Sequence, residues 1–333
     1  MNKNILLFLM IFVFSFGTVV KCSNNYLFSI TSSYIPESGQ LISIYDATAM
    51  TKFSTISINI EYQILSILSV DLEHHEMVLL GYSNYTNKEA MVQFNMNNLK
   101  ISVLTEVDNG VVSNFTNNIQ PASFIDKSAL SVGLINEDRV PSIIEWDFSS
   151  GSLINSTLRL PYYNDAIYTA PPFYAYSELN DMVYVLYETN RHPSENASLA
   201  KFKHSNPKDI HVSFDIKGLD INDTIIVFTN PSGDVFAVTS YDSARIGICK
   251  INFKLSSCDL VETFVVGFDY QQQGYTPAFL SCDGSKLILV GNLNSPSTPF
   301  FVVDTTSFSM SMFYLPNDWS THSLDTYTFF NYL

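Results

Sequence analysis

A step of about fifty-two residues recurs along the 333-residue chain and restricts its fold more than any other property of the sequence. Short β-branched and aromatic runs lie one step apart at Leu287–Val290, Val235–Val238, Met182–Leu186, Leu130–Leu134, Met77–Leu80 and Tyr26–Ile30. A second landmark, an apolar residue followed by a polar one, keeps a similar step at Val303-Asp304, Ile251-Asn252, Phe202-Lys203, Trp146-Asp147, Phe94-Asn95 and Tyr45-Asp46. The runs are punctuated by Asn, Asp, Gly and Ser, and helical periodicity is nearly absent, so the chain is expected to be all-β.

The last repeat shows the unit in full: Pro277–Cys282, a turn at Asp283-Gly284, Lys286–Asn292, Phe300–Asp304 and Phe308–Leu315. These are four successive strands, a to d. One such sheet cannot bury both of its faces without neighbours, so its repetition predicts a β-propeller in which each unit is a blade. Six blades fit the spacing, with a seven-bladed ring or a β-sandwich as the alternatives. The first unit begins at its b strand, whereas a spare strand, Leu324–Phe330, follows the sixth d strand. The C-terminal strand is therefore expected to complete the first blade and close the ring, which removes an exposed edge.

The segment Leu280-Ser-Cys-Asp-Gly-Ser-Lys-Leu-Ile-Leu-Val-Gly-Asn292, followed by Phe301-Val-Val-Asp-Thr-Thr306, resembles the repeat of YVTN-type and related quinoprotein-like propellers. Asn230-Pro-Ser-Gly-Asp-Val-Phe-Ala-Val238 is similar to its first half and Leu41-Ile-Ser-Ile-Tyr-Asp-Ala-Thr48 to its second. The resemblance implies an architecture that hosts unrelated functions. The Asn/Ser-rich, Gly-poor style is similar to that of secreted proteins of social amoebae.

Residues 1–22 read as a signal peptide: Lys3 opens it, Ile5 to Phe16 is an unbroken apolar run, and polar residues follow Lys21. Cleavage is expected after Cys22, or alternatively after Gly17, leaving 23–333 as a single domain. The apolar run is shorter than a bilayer span requires, so an uncleaved signal anchor is the lesser alternative. Secretion is expected, with a lysosome-like lumen as the alternative. Asp and Glu number 32 against 17 Lys and Arg, and the signal carries off two lysines and no acid, so a formal charge of -15 becomes -17. That balance lacks the basic footprint of a nucleic-acid binder. Asn-x-Ser/Thr triplets at Asn84, Asn114, Asn155, Asn196 and Asn222 are glycosylation candidates on a secretory route. Asn84 and Asn196 map to b-to-c loops and Asn114 and Asn222 to d-to-a connections, which share one face, while Asn155 maps to the other side.

Chemistry is harder to find. No Gly-x-Ser-x-Gly elbow and no phosphate-cradling glycine loop occurs, so no catalytic residue is assigned and no cofactor is expected. Asp71, Glu73, His74, His75 and Glu76 crowd one a-to-b turn, but adjacent strand residues point to opposite faces, so the cluster reads as a solvated turn and no metal is expected. Asp220-Ile-Asn-Asp223 lacks the glycine and terminal Glu of a calcium loop. A c-to-d turn centred on Phe253-Lys254 would set Cys249 directly opposite Cys258 for a disulfide, with a bridge to Cys282 as the alternative. The segment Pro161 to Tyr174 between the third and fourth blades offers Tyr162, Tyr163, Tyr168 and Phe173 as ligand contacts, since aromatic rings stack on sugars and anchor protein partners. These features suggest a secreted binding module for an extracellular protein or carbohydrate. The competing reading is a lumenal hydrolase, lyase or lactonase with loop acids and histidines at the ring mouth.

Overall fold

The structure, a computed structural model, describes residues 26–33, 40–46, 51–58, 62–71, 74–83, 85–86, 88–108, 120–123, 128–135, 140–147, 150–163, 173–189, 197–241, 245–266, 278–281, 284–290, 299–314 and 326–332. Among these residues the strands form six antiparallel sheets of four. Sheet 1 holds β1 (Tyr26–Ser33), β2 (Gln40–Asp46) and β3 (Thr51–Ile58); sheet 2 holds β4 (Tyr62–Asp71), β5 (Glu76–Ser83), β6 (Lys88–Asn95) and β7 (Lys100–Asp108). Sheet 3 holds β8 (Gln120–Ser123), β9 (Ser128–Ile135), β10 (Val140–Asp147) and β11 (Ser152–Thr157), and sheet 4 holds β12 (Phe173–Ser177), β13 (Met182–Tyr187), β14 (Ser198–Lys203) and β15 (Asn206–Ser213). Sheet 5 comprises β16 (Thr224–Thr229), β17 (Val235–Ser240), β18 (Arg245–Asn252) and β19 (Ser257–Val265). Sheet 6 comprises β20 (Ala278–Leu280), β21 (Lys286–Val290), β22 (Pro299–Asp304) and β23 (Met310–Tyr314). The last strand, β24 (Thr326–Tyr332), belongs to sheet 1, where it pairs with β1 in the register Ile30↔Phe329.

Every b and c landmark of the sequence lies within a strand, and the polar member of the apolar-polar pair has a specific task. At the end of β6, Asn95 Oδ1 accepts the N–H groups of Asn97 and Asn98 (3.1 and 3.2 Å). Asn252 Oδ1 does the same for Lys254 and Leu255 (3.1 and 3.2 Å), and Asp304 Oδ1 for Thr306 and Ser307 (3.0 and 2.8 Å). Asp147 accepts from the N–H and hydroxyl of Ser150 (3.3 and 2.6 Å). In each turn the residue four places on has a positive φ: Leu99, Gly151, Ser256 and Phe308. The repeat is thus the trace of a capped four-residue turn in which a short side-chain oxygen replaces lost ladder bonds. At Gly151 a side chain is also excluded sterically, because a Cβ would lie 2.9 Å from the Leu104 carbonyl oxygen of sheet 2. Lys203 has no acceptor to offer, and its turn is shorter, with Lys203 opposite Asn206.

Burial follows the period-two pleat. Ile42 and Ile44 of sheet 1 pack with Met77, Leu79, Val92 and Phe94 of sheet 2. Ile143 of sheet 3 meets Val183, Val185 and Phe202 of sheet 4, whose other face packs Leu186 and Leu199 on Val227, Ala237 and Ile251 of sheet 5. Phe228, Phe236 and Ile248 then meet Leu287, Leu289 and Val303 of sheet 6. Strand residues therefore alternate between two inter-sheet cores rather than between core and water. Buried polar bonds tie the sheets: Tyr174 donates to the Leu130 carbonyl at 2.7 Å and Thr229 to the Tyr176 carbonyl at 2.6 Å.

Cys249 and Cys258 are disulfide-bonded, with Cα atoms 5.4 Å apart. The register differs from the expectation. Cys249 faces Leu260, and Cys258 faces Ile251. The turn caps on Asn252 and spans Phe253–Ser256 rather than centring on Phe253-Lys254, which shifts pairing by two residues. An even shift keeps both cysteines on one face of the sheet, so they bond diagonally. Cys22 and Cys282 lie outside the described residues.

Candidate functional site

In an antiparallel four-strand meander the b-to-c and d-to-a connections leave the same end of each sheet. At that end of sheets 3 and 4, β11 runs on through buried Leu158 and Leu160 to Pro161, whose carbonyl accepts the Tyr187 hydroxyl at 3.1 Å. Burial pushes the Tyr187 phenol well above its ordinary range, so it keeps the proton that it donates to Pro161. Tyr162 follows with φ 56° and is 51% exposed, its ring edge-on to Phe214 at 5.9 Å. Tyr163 pairs with Thr189 just beyond β13 and tilts against Tyr187 at 6.2 Å, half-buried against the core of sheets 3 and 4. Phe173, the first residue of β12, packs half-buried on the core of sheets 4 and 5. Tyr168 lies outside the described residues. Of the four aromatic candidates, Tyr162 and Tyr163 are adjacent, and Tyr162 presents the larger free surface.

Two further tyrosines occupy the same class of connection. Tyr85, in the b-to-c turn of sheet 2, is 75% exposed, and Tyr241, in that of sheet 5, is 54% exposed. The Tyr85 turn is built on Ser83, whose hydroxyl accepts the N–H groups of Tyr85 and Thr86 (3.3 and 3.2 Å). Tyr241 lies over Gly247, where a Cβ would collide with its ring and approach Leu260 Cδ1 to 3.1 Å. Only glycine leaves room for this ring at that position. Neither tyrosine stands out in a sequence with 19 of them, although each lies within two residues of the end of a b strand that closes on Ser. The opposite end of the sheets exposes Leu99, Leu179 and Leu255 instead.

Among the described residues, the acids Asp220 and Asp223 at the tyrosine end belong to a turn. Asp220 Oδ1 accepts from the backbone N–H and the side-chain amide of Asn222 (2.8 and 3.2 Å), and its carbonyl accepts the Thr224 hydroxyl at 2.7 Å. Burial, with Asp220 alongside, raises the Asp223 carboxyl above its ordinary value. In the a-to-b turn of sheet 2, the His74 ring meets Asp71 at 2.7 Å and His75 takes the positive-φ position, so the two histidines build the turn. No group of three metal-ligating side chains occurs among the described residues.

The glycosylation candidates are unequally placed. Asn84 lies outside the described residues, beside exposed Tyr85 and Thr86; Asn114 and Asn196 are also outside, and Ser198 of the Asn196 triplet is fully buried. Asn155 falls within the edge strand β11, opposite Ile144, and Asn222 is exposed just before β16.

No family model matches the chain. It is 25% identical over 254 residues to an uncharacterized protein of Dictyostelium discoideum, covering 74% of this chain and 68% of that one. Among solved structures it is similar to TolB from Acinetobacter baumannii, with a TM-score of 0.53 at 13% identity over 88% of this chain. The chain spans 64% of TolB, less than two thirds of its length. The fold is a β-propeller. A protein from Lactobacillus plantarum is similar at a TM-score of 0.50 and 11% identity, over 87% of this propeller and 82% of its own chain. The likeness extends to the architecture and stops there, as the YVTN-type resemblance implies.

Proposed function

We propose that the chain is a secreted, glycosylated six-bladed β-propeller that acts as a binding module through the tyrosine-bearing end of its sheets. The six sheets are its blades, and β24 closes the ring by completing the first. The pairing of β24 with β1, and the contacts of β24 with both β20 and β4, support this closure.

The observation that carries the binding reading is the set Tyr85, Tyr162 and Tyr241, exposed in connections that leave the same end of three sheets. A tyrosine presents a rigid apolar ring and a hydroxyl at small entropic cost, which suits stacking on a carbohydrate ring or anchoring a protein surface. The test is a glycan array together with a pull-down from extracellular fluid, each run with the wild-type chain and with Tyr162→Ala and Tyr241→Ala. A specific ligand weakened about tenfold or more by either substitution supports the reading. Turnover of a sugar or lactone without any retained ligand overturns it in favour of the enzyme.

A further inference from the structure

Glu89 is the second residue of β6 and is 3% exposed. Ala90, Val92 and Phe94 of the same strand pack with sheet 1, so the pleat turns Glu89 and Met91 to the other face, toward sheet 3, whose Gly151 lies against Leu104 of β7. Met91 is fully buried, so this second face is also closed to water. Glu89 Oε2 has no hydrogen-bond partner among the described residues. A buried carboxylate oxygen in that condition needs an explanation, because nearly all such atoms in folded proteins are paired.

The charges of the described residues do not supply one. Across the ladder, Glu89 faces Tyr82 in β5 and Val107 in β7. Lys88, register partner of Asp108, lies one residue away and belongs to the opposite face, as does Glu106, which pairs with Ala90. On β10, Glu145 turns instead to sheet 4, where His204 lies 3.5 Å away. Among the described residues, an ionised Glu89 would therefore lose its hydration with no cation in exchange. Burial alone carries its carboxyl from 4.5 up to about 7.

We propose that Glu89 is a proton-operated latch on the b-to-c end of sheet 2, where the acid form lets the sheet close dry against sheet 3 and the carboxylate opens it to water. The element released is the turn that carries Tyr85, between β5 and β6. The latch stands whether or not Tyr85 contacts a ligand, so it fails or survives separately from the binding reading.

The sign follows from linkage. The closed form holds its proton up to about pH 7 and the opened form only to about 4.5, so closure is strongest below pH 4.5 and weakens up to pH 7. Hydrogen exchange of the whole chain, corrected for intrinsic rates, reads the opening directly. In the wild type, amides of β5–β7 are expected to open on the order of fiftyfold more at pH 8 than at pH 5. Amides of sheet 5 should show no such trend, and Glu89→Gln should flatten the trend in sheet 2. An unchanged sheet 2, an equal change in sheet 5, or a Glu89→Gln chain that keeps the pH dependence overturns the latch. Should Glu89→Gln not fold, the comparison of sheets 2 and 5 within the wild-type chain decides alone.

Discussion

The carboxylate of Asp181 holds Ser205, accepting its N–H at 3.2 Å and its hydroxyl at 2.5 Å, so a residue of the a-to-b turn caps the c-to-d turn of the same sheet. The Asp181 carbonyl also accepts the His204 N–H at 3.0 Å. This arrangement compensates for Lys203, which stands where other repeats have Asn or Asp. Burial raises the Asp181 carboxyl, but the Ser205 hydrogen bonds, with His204 nearby, outweigh it and hold the group below its ordinary value. Asp181→Ala is expected to cost about 1–2 kcal/mol, and Asp181→Asn less, because Asn keeps an acceptor and tolerates the residue's φ of 55°. Urea unfolding of the two variants checks the order.

Asp304 combines a turn cap with an ion pair, since Lys286 reaches its Oδ2 at 2.7 Å. The Lys286 contact, followed by the Ser307 N–H, holds its carboxyl well below the usual carboxylate range. A lowered native value stabilises the fold above the ordinary carboxylate value of 3.8, and this contribution is lost as pH falls toward the depressed one. Asp304→Asn should therefore flatten the acid limb of the stability profile below about pH 4 while costing only a few tenths of a kcal/mol at pH 7, because Asn95 and Asn252 perform the same cap. Asp304→Ala, which loses the cap too, should cost about 1 kcal/mol at pH 7. Thermal unfolding between pH 2.5 and 7 distinguishes the two.

The Cys249–Cys258 bond spans a sequence separation of 9 in the β18–β19 hairpin. Constraining so short a loop in the unfolded chain is worth about 2–3 kcal/mol. Cys249 is also buried against sheet 4, so Cys249→Ala with Cys258→Ala should lower stability by at least that amount without changing the register of the hairpin. Denaturant midpoints with and without reductant measure the loss, and the double variant should be insensitive to reductant.

The pairing of β24 with β1 makes a register-specific prediction. Ile30 and Phe329 are directly opposite, so Ile30→Cys with Phe329→Cys should cross-link within one chain under mild oxidation. Ile30→Cys with Thr328→Cys, one residue out of register, should not, because it points to the other face. Peptide mapping under non-reducing conditions separates the outcomes.

Much of this molecule was legible in its repeats, for a local reason. The pair Ile251-Asn252 and its counterparts mark a strand end because a short polar side chain there satisfies the N–H groups of the next turn, and that requirement acts between residues only a few positions apart. The same locality explains the failure at Phe253-Lys254, where a four-residue turn and a two-residue one are equally plausible in sequence and the Asn252 cap decides.

The site residues were legible only in part. An aromatic run such as Pro161 to Tyr174 announces a connection, but whether a ring faces water depends on its neighbours: Tyr163 tilts against Tyr187 and is half-buried, whereas Tyr162, edge-on to Phe214, stays exposed. Tyr241 gained its place because Gly247 lies beneath it in the next strand.

By itself, then, the sequence determined the strand type, the repeated four-strand unit and the polar turn caps, because each arises from hydrogen bonds and pleating within a few residues. Tertiary structure alone decided which tyrosines stay exposed, that Asp181 substitutes for a missing cap, and that Glu89 is shut into an inter-sheet face with its Oε2 unpaired among the described residues. Those outcomes depend on side chains brought together from different strands and sheets, where burial and desolvation set the energies.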